Sequence, residues 1–142
     1  MFSNKDVKEK VYFENDHYLV IADYKWDQMS VDQMYLLMIF KDCTLRSIRN
    51  LNGSHVGLLK NARENIYVLC DQLGVHREHL CLYFHYRPSY FRLHIHIVNI
   101  RKSIARLGSF SRHVLLDDVI RDLEMDPRYF EYNCYYVTQC DC

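Results

Sequence analysis

An α+β domain with a mainly antiparallel sheet is the fold class the sequence predicts, and three observations predict it. Strand and helix candidates are grouped rather than strictly alternated along the chain, in the order strand, strand, an apolar run of either kind, helix, strand, strand, helix, strand. The segment Phe91 to Val98 alternates polar and apolar residues at the two-residue period of a strand. The segment Ser54 to Leu73 instead carries its apolar residues at helical spacing. A length of 142 residues suits one domain built on one core.

Lys10 to Phe13 is the first strand candidate, closed by the turn residues Asn15 and Asp16, and His17 to Ala22 is the second. Their short connection makes a hairpin. Ser30 to Phe40 is ambiguous, because Ser30 and Gln33 imitate a helix capping box while Met34 to Phe40 is a continuous apolar run. Propensity alone tips that run toward helix. From Ser54 to Leu73, Leu58, Leu59, Ala62, Ile66, Leu69, Cys70 and Leu73 form one helical face, and Gly74 follows as its cap. Strands are expected over Leu80 to Tyr86 and Phe91 to Ile100. A second helix is expected from near Ser111 to Glu124, with Val114, Leu115, Val119 and Leu123 inward and Pro127 just past its end. Phe130 to Thr138 is a last strand candidate.

Composition narrows the function classes. Hydrophobic residues make up 49% and charged residues 25%, which excludes disorder as the dominant state. Eighteen basic side chains balance eighteen acidic ones, so no bulk positive field favours long nucleic acid. No apolar stretch approaches the roughly 20 residues a bilayer crossing needs. The opening residues Met1 to Asp6 lack the features of a secretory signal, and an intracellular domain is expected. Six cysteines without a C-x-x-C pair fit free thiols better than a disulfide framework, with Cys70 and Cys81 among apolar neighbours. Cys140 and Cys142 are expected in an unstructured tail. Twelve tyrosines against four glycines favour extended, well-packed segments.

The chemistry concentrates in a short stretch. His85, His94 and His96 fall within a dozen residues, among eight histidines in all. Strand alternation directs Arg92, His94 and His96 to one face and Leu93, Ile95 and Ile97 into the core. A tight turn through Pro88 lays the preceding strand antiparallel alongside, which brings His85 to the same face, near Ser89 and Tyr90. An unprotonated imidazole is a competent nucleophile near neutral pH. Attack on phosphorus would divide one hard displacement into two through a covalent intermediate. Neighbouring cations and hydroxyls would stabilise charge on the phosphoryl oxygens. Two other readings stay open at this point: three histidines holding zinc with one position open, and histidines lining the polar side of an exposed strand.

His94-Ile95-His96-Ile97-Val98 resembles the end of the histidine-triad motif. The longer stretch His85-Tyr86-Arg87-Pro88-Ser89-Tyr90-Phe91-Arg92-Leu93-His94-Ile95-His96 resembles the scavenger mRNA-decapping branch of that superfamily. Val11 to Asn15, Asp23 to Trp26, Leu45 to Leu51 and Asp122 to Arg128 resemble the same branch in the same order. The likeness implies a histidine-triad fold with about five antiparallel strands, one long and one shorter helix, and a strand rather than a helix at Met34 to Lys41. It further implies a single catalytic domain over residues 1–142, without the family's separate N-terminal domain, and a homodimer.

Residue by residue, the resemblance makes His94 the nucleophile, with His96 and His85 on the phosphate chain. It makes Ser89 and Tyr90 phosphate contacts of the loop, and Asp23 and Lys25 contacts to the 7-methylguanine nucleotide. Trp26 reads as a core or rim aromatic. Arg92 replaces the motif's leading histidine and keeps a cation there. The base-stacking tryptophan of the family has no counterpart, and Val7 stands where a base-reading carboxylate is expected, with Asp6 and Glu9 nearby. The implied activity is that of an m7GpppX diphosphatase acting on a capped dinucleotide or short capped RNA fragment and releasing 7-methylguanosine monophosphate. No metal or other cofactor, no membrane and no long nucleic acid is implied, and the expected compartment is the cytoplasm, with the nucleus second. A general hydrolase of dinucleoside polyphosphates or phosphoramidates, and a non-catalytic nucleotide-binding module, are the competing expectations.

Overall fold

The computed structural model describes residues 10–100 and 113–133. Six strands form one sheet in the order β1-β2-β3-β5-β4-β6, and every neighbouring pair is antiparallel. The strands are β1 (Val11–Glu14), β2 (Tyr18–Ala22), β3 (Tyr35–Phe40), β4 (Leu80–His85), β5 (His94–Asn99) and β6 (His113–Leu115). Helix α1 (Val56–Leu73) separates β3 from β4, and α2 (Leu116–Met125) and α3 (Tyr129–Tyr132) follow β6. Among the described residues, no helix is long and apolar enough to cross a membrane.

The β1–β2 hairpin closes at Asn15, whose side chain accepts the N–H groups of His17 and Tyr18 at 2.8 and 2.9 Å. The run after Ser30 is a strand, as the resemblance implies. Its capping signal is nonetheless real: Ser30 Oγ accepts the N–H of Asp32 and starts a single 3₁₀ turn, Val31–Gln33. The chain then extends into β3, because all six side chains from Tyr35 to Phe40 are buried, as in a strand covered on both faces. Trp26 packs in the core at 5% exposure and donates its indole N–H to the carbonyl of Ser30.

Helix α1 begins two residues later than expected, after a capping turn in which Asn52 accepts the N–H of Ser54 while His55 accepts that of Asn52. It ends at Gly74, whose φ of 89° lies where a side chain is costly. There the N–H groups of Gly74 and Val75 bond the carbonyls of Asp71 and Cys70. Tyr18 of β2 donates its hydroxyl to Asn61 of α1 at 2.7 Å, which sets the helix on the sheet face carrying Tyr18, Leu36, Met38, Ile95 and Ile97.

Three expectations need correction. The second helix starts at Leu116, because residues 113–115 pair with β4 as β6; Val114 is buried, but Leu115 is 44% exposed and not inward. The expected strand over residues 130–138 is a helical turn as far as Tyr132, capped by Asn133, and residues 134–138 lie outside the described residues. The β5 strand is confined to His94–Asn99, since the N–H of Leu93 bonds the carbonyl of Leu45 outside the sheet. Cys70 and Cys81 are free thiols; burial pushes Cys70 up to about 12 and Cys81 upward. Cys134, Cys140 and Cys142, like Asp6, Val7 and Glu9, lie outside the described residues.

Candidate active site

Strand register decides which side chains meet. Leu37 and Tyr83 flank His96 from β3 and β4, Ile39 lies opposite His94, and His113 lies opposite His85. Two-residue alternation therefore gathers Tyr35, Tyr83, His85, His94, His96 and His113 on the sheet face away from α1. Asp23, two residues beyond Ile21, continues the same face from β2.

Four imidazoles form a contiguous group. Ring centroids are 4.9 Å apart for His94 and His96, 4.2 Å for His85 and His96, and 5.1 Å for His85 and His113. Tyr83 lies nearly parallel to His96 at 4.9 Å and 4.2 Å from His113. His94 and His96 are only 8% and 7% exposed, which excludes the polar side of an exposed strand as their setting. Among the described residues, no group of three or more His, Cys, Asp or Glu side chains is arranged to hold a metal ion.

The nitrogens of His94 are assigned by their partner. Its Nδ1 lies 2.6 Å from the carbonyl oxygen of Arg92, which can only accept, so Nδ1 carries the proton and Nε2 the lone pair. Burial holds His94 below the ordinary imidazole range, against the opposing pull of that carbonyl and of the Asp23 carboxylate. Burial depresses His96 far more strongly, reinforced by the positive charges that His85, His94, Lys25 and His113 carry when protonated. His94 Nε2 thus carries its lone pair at neutral pH without a separate base.

The remaining expected residues occupy distinct positions. Asp23 is buried, and its carboxylate accepts the backbone N–H of Lys25 at 2.9 Å. The Lys25 ammonium stands 5.3 Å from the ring centre of Tyr35, which bonds His96, so this pair borders the cluster. Ser89 and Tyr90 are exposed in the connection between β4 and β5. Arg92 lies before the strand rather than in its alternation. Its Nε and one terminal nitrogen donate to the carbonyls of Phe40 and Lys41, and it lines a small cavity with Arg46, His85, Pro88 and His94.

Tyr35, Tyr83 and His113 were not singled out from the sequence. Tyr83 was findable, because it precedes His85 by two residues in one strand and so shares its face. His113 could be placed only by the β4–β6 register, and Tyr35 only by pairing of β3 with β5.

Comparison with known proteins defines the fold and the family. The fold is that of the histidine-triad hydrolases: a HIT family hydrolase from Legionella pneumophila superposes with a TM-score of 0.57 at 21% identity, over 68% of this chain and 86% of that one. The chain belongs to the scavenger mRNA decapping enzyme family, whose model, described as "Scavenger mRNA decapping enzyme C-term binding", matches residues 1–109. It is 30% identical over 136 residues to the m7GpppX diphosphatase of Caenorhabditis elegans and 32% identical over 136 residues to that of Homo sapiens. In each case the match covers 92% of this chain but only 43% and 40% of the relative, so the chain spans less than half the length of the curated relatives it matches.

Proposed function

We propose that the protein hydrolyses the triphosphate bridge of 7-methylguanosine cap dinucleotides, or of short capped fragments, through a nucleotidyl intermediate on His94. The observation that carries this reading is the 2.6 Å contact from His94 Nδ1 to the Arg92 carbonyl, which leaves Nε2 as the attacking atom. The lone pair of Nε2 forms a bond to the phosphorus next to methylguanosine. The P–O bond to the rest of the chain breaks, and a nucleoside diphosphate leaves with that electron pair. Water then attacks the same phosphorus, and the N–P bond breaks with its electron pair returning to Nε2. The surplus proton of the water passes to solvent, and 7-methylguanosine monophosphate and neutral His94 are released. Throughout, Nδ1–H stays on the backbone carbonyl, which stabilises the positive charge the ring acquires on attack.

His96 and His85 are assigned to the phosphate chain, because both rings adjoin each other and His96 adjoins His94. Ser89, Tyr90 and Arg92 are assigned to the phosphates from the loop, and Asp23 and Lys25 to the methylated nucleotide at the other border of the cluster. Association as a homodimer is part of the same proposal, and light scattering measures it.

The test is incubation with a methylated cap dinucleotide in the presence of chelator. Turnover is expected to persist with chelator and to fall by at least roughly 10³-fold in His94→Asn. Full activity in the variant, or binding with no turnover in the parent at any pH, would refute the proposal. Equal rates on methylated and unmethylated caps would point instead to a general nucleotide hydrolase.

A further inference from the structure

We propose that Tyr35, backed by Tyr83, is a positioning residue that fixes His96 as the neutral tautomer with its proton on Nε2, so that a buried N–H faces the phosphate chain. This inference rests on the phosphate-binding role proposed above for His96. The starting observation is an asymmetry between the two histidines of β5: the Nδ1 of His94 meets a carbonyl, whereas that of His96 meets the Tyr35 hydroxyl at 2.9 Å. A hydroxyl can donate or accept, so the tautomer of His96 depends on what its other nitrogen must do.

His96 Nε2 is buried and has no hydrogen-bond partner among the described residues. A polyphosphate offers acceptor oxygens only, so a neutral imidazole binds it only through N–H. With the proton on Nε2, Nδ1 must accept, and Tyr35 must be the donor. Tyr35 oxygen then accepts in turn, and the Tyr83 hydroxyl stands 3.4 Å from it. Tyr83 also confines the ring, lying within 3° of parallel to it. Tyr83 keeps its own proton in this arrangement, since burial and the neighbouring Tyr35 push its phenol upward. Adjacent histidines of one strand thus carry opposite tautomers: His94 offers a lone pair and His96 offers a proton.

The test combines ¹⁵N imidazole spectra of the full chain with steady-state kinetics on the methylated cap dinucleotide. Wild-type protein is expected to show His94 protonated on Nδ1 and His96 on Nε2. In Tyr35→Phe, His96 is expected to lose its accepting signature at Nδ1 and populate both tautomers. There kcat should fall roughly 10- to 100-fold, with KM changed about twofold or less. Tyr83→Phe should give a smaller loss, because Tyr35 keeps its proton to donate. Wild-type His96 protonated on Nδ1, or Tyr35→Phe with unchanged tautomer and unchanged kcat, would overturn the inference. The wild-type spectrum decides the tautomer even if a variant fails to fold. It also separates this inference from the proposed reaction: absent turnover with the expected tautomers refutes only the latter.

Discussion

His94 shows how much chemistry one backbone contact can determine. A free imidazole samples both tautomers and titrates near ~6.5. Here a carbonyl at 2.6 Å selects one tautomer, and burial holds the ring in its unprotonated form. In the proposed reaction the attacking form is neutral, so activity should be lost only as pH falls through a value below the ordinary imidazole range. The acid limb of kcat/KM against pH measures this, and a limb at or above ~6.5 would contradict it. The role of His94 as nucleophile is implied by the family resemblance alone, but the sheet face it takes was legible in the sequence, because alternation over residues 93–98 determines which side chains share a face. Its partners were not. The apolar run around Tyr35 has no period to show which side its hydroxyl takes, and His113 lies some twenty-eight positions from the residue it opposes, His85.

At the level of elements, the sequence carried accurate local signals whose extent depended on tertiary pairing. Ser30 does cap a turn, yet the turn lasts three residues because β3 is claimed by β2 on one side and β5 on the other. Apolar spacing around Val114 and Val119 suits a helix, but the ladder to β4 takes residues 113–115, and the helix starts where Asp117 and Asp118 favour its N-terminal dipole. The long helix was legible apart from its first two residues, since its pattern and terminal Gly74 are local. Gly53 presents the opposite case. A Cβ there would approach the Pro127 Cβ to 2.6 Å, while its N–H bonds the Pro127 carbonyl at 2.9 Å. Gly53→Ala is therefore expected to destabilise by about 1–3 kcal/mol, measured by urea denaturation. An unchanged midpoint would show that α2 and its exit can shift freely from the start of α1.

Across the whole molecule, two apolar layers lie on either side of a sheet, and one of them gives way to buried imidazoles. That arrangement couples stability to pH. Both His94 and His96 have folded-state values below the unfolded one, so the unfolded chain binds their protons first as pH falls. Stability is complete above ~6.5 and declines as pH drops below it toward the folded-state values. Urea midpoints measured from pH 8 to pH 5 should fall with acidification, and the slope should be shallower in His96→Phe. A flat profile would mean that the rings become protonated within the folded protein at no cost. The same buried ring expected to make the fold acid-sensitive is the one assigned to meet the phosphate chain, beside the proposed nucleophile.

The most direct measurement is mass spectrometry of the protein quenched shortly after mixing with methylated cap dinucleotide. The account predicts a 7-methylguanosine monophosphate adduct, labile to acid, on the peptide containing His94 and absent in His94→Asn. Rapid turnover by the variant, or an adduct carried by another residue, would contradict it.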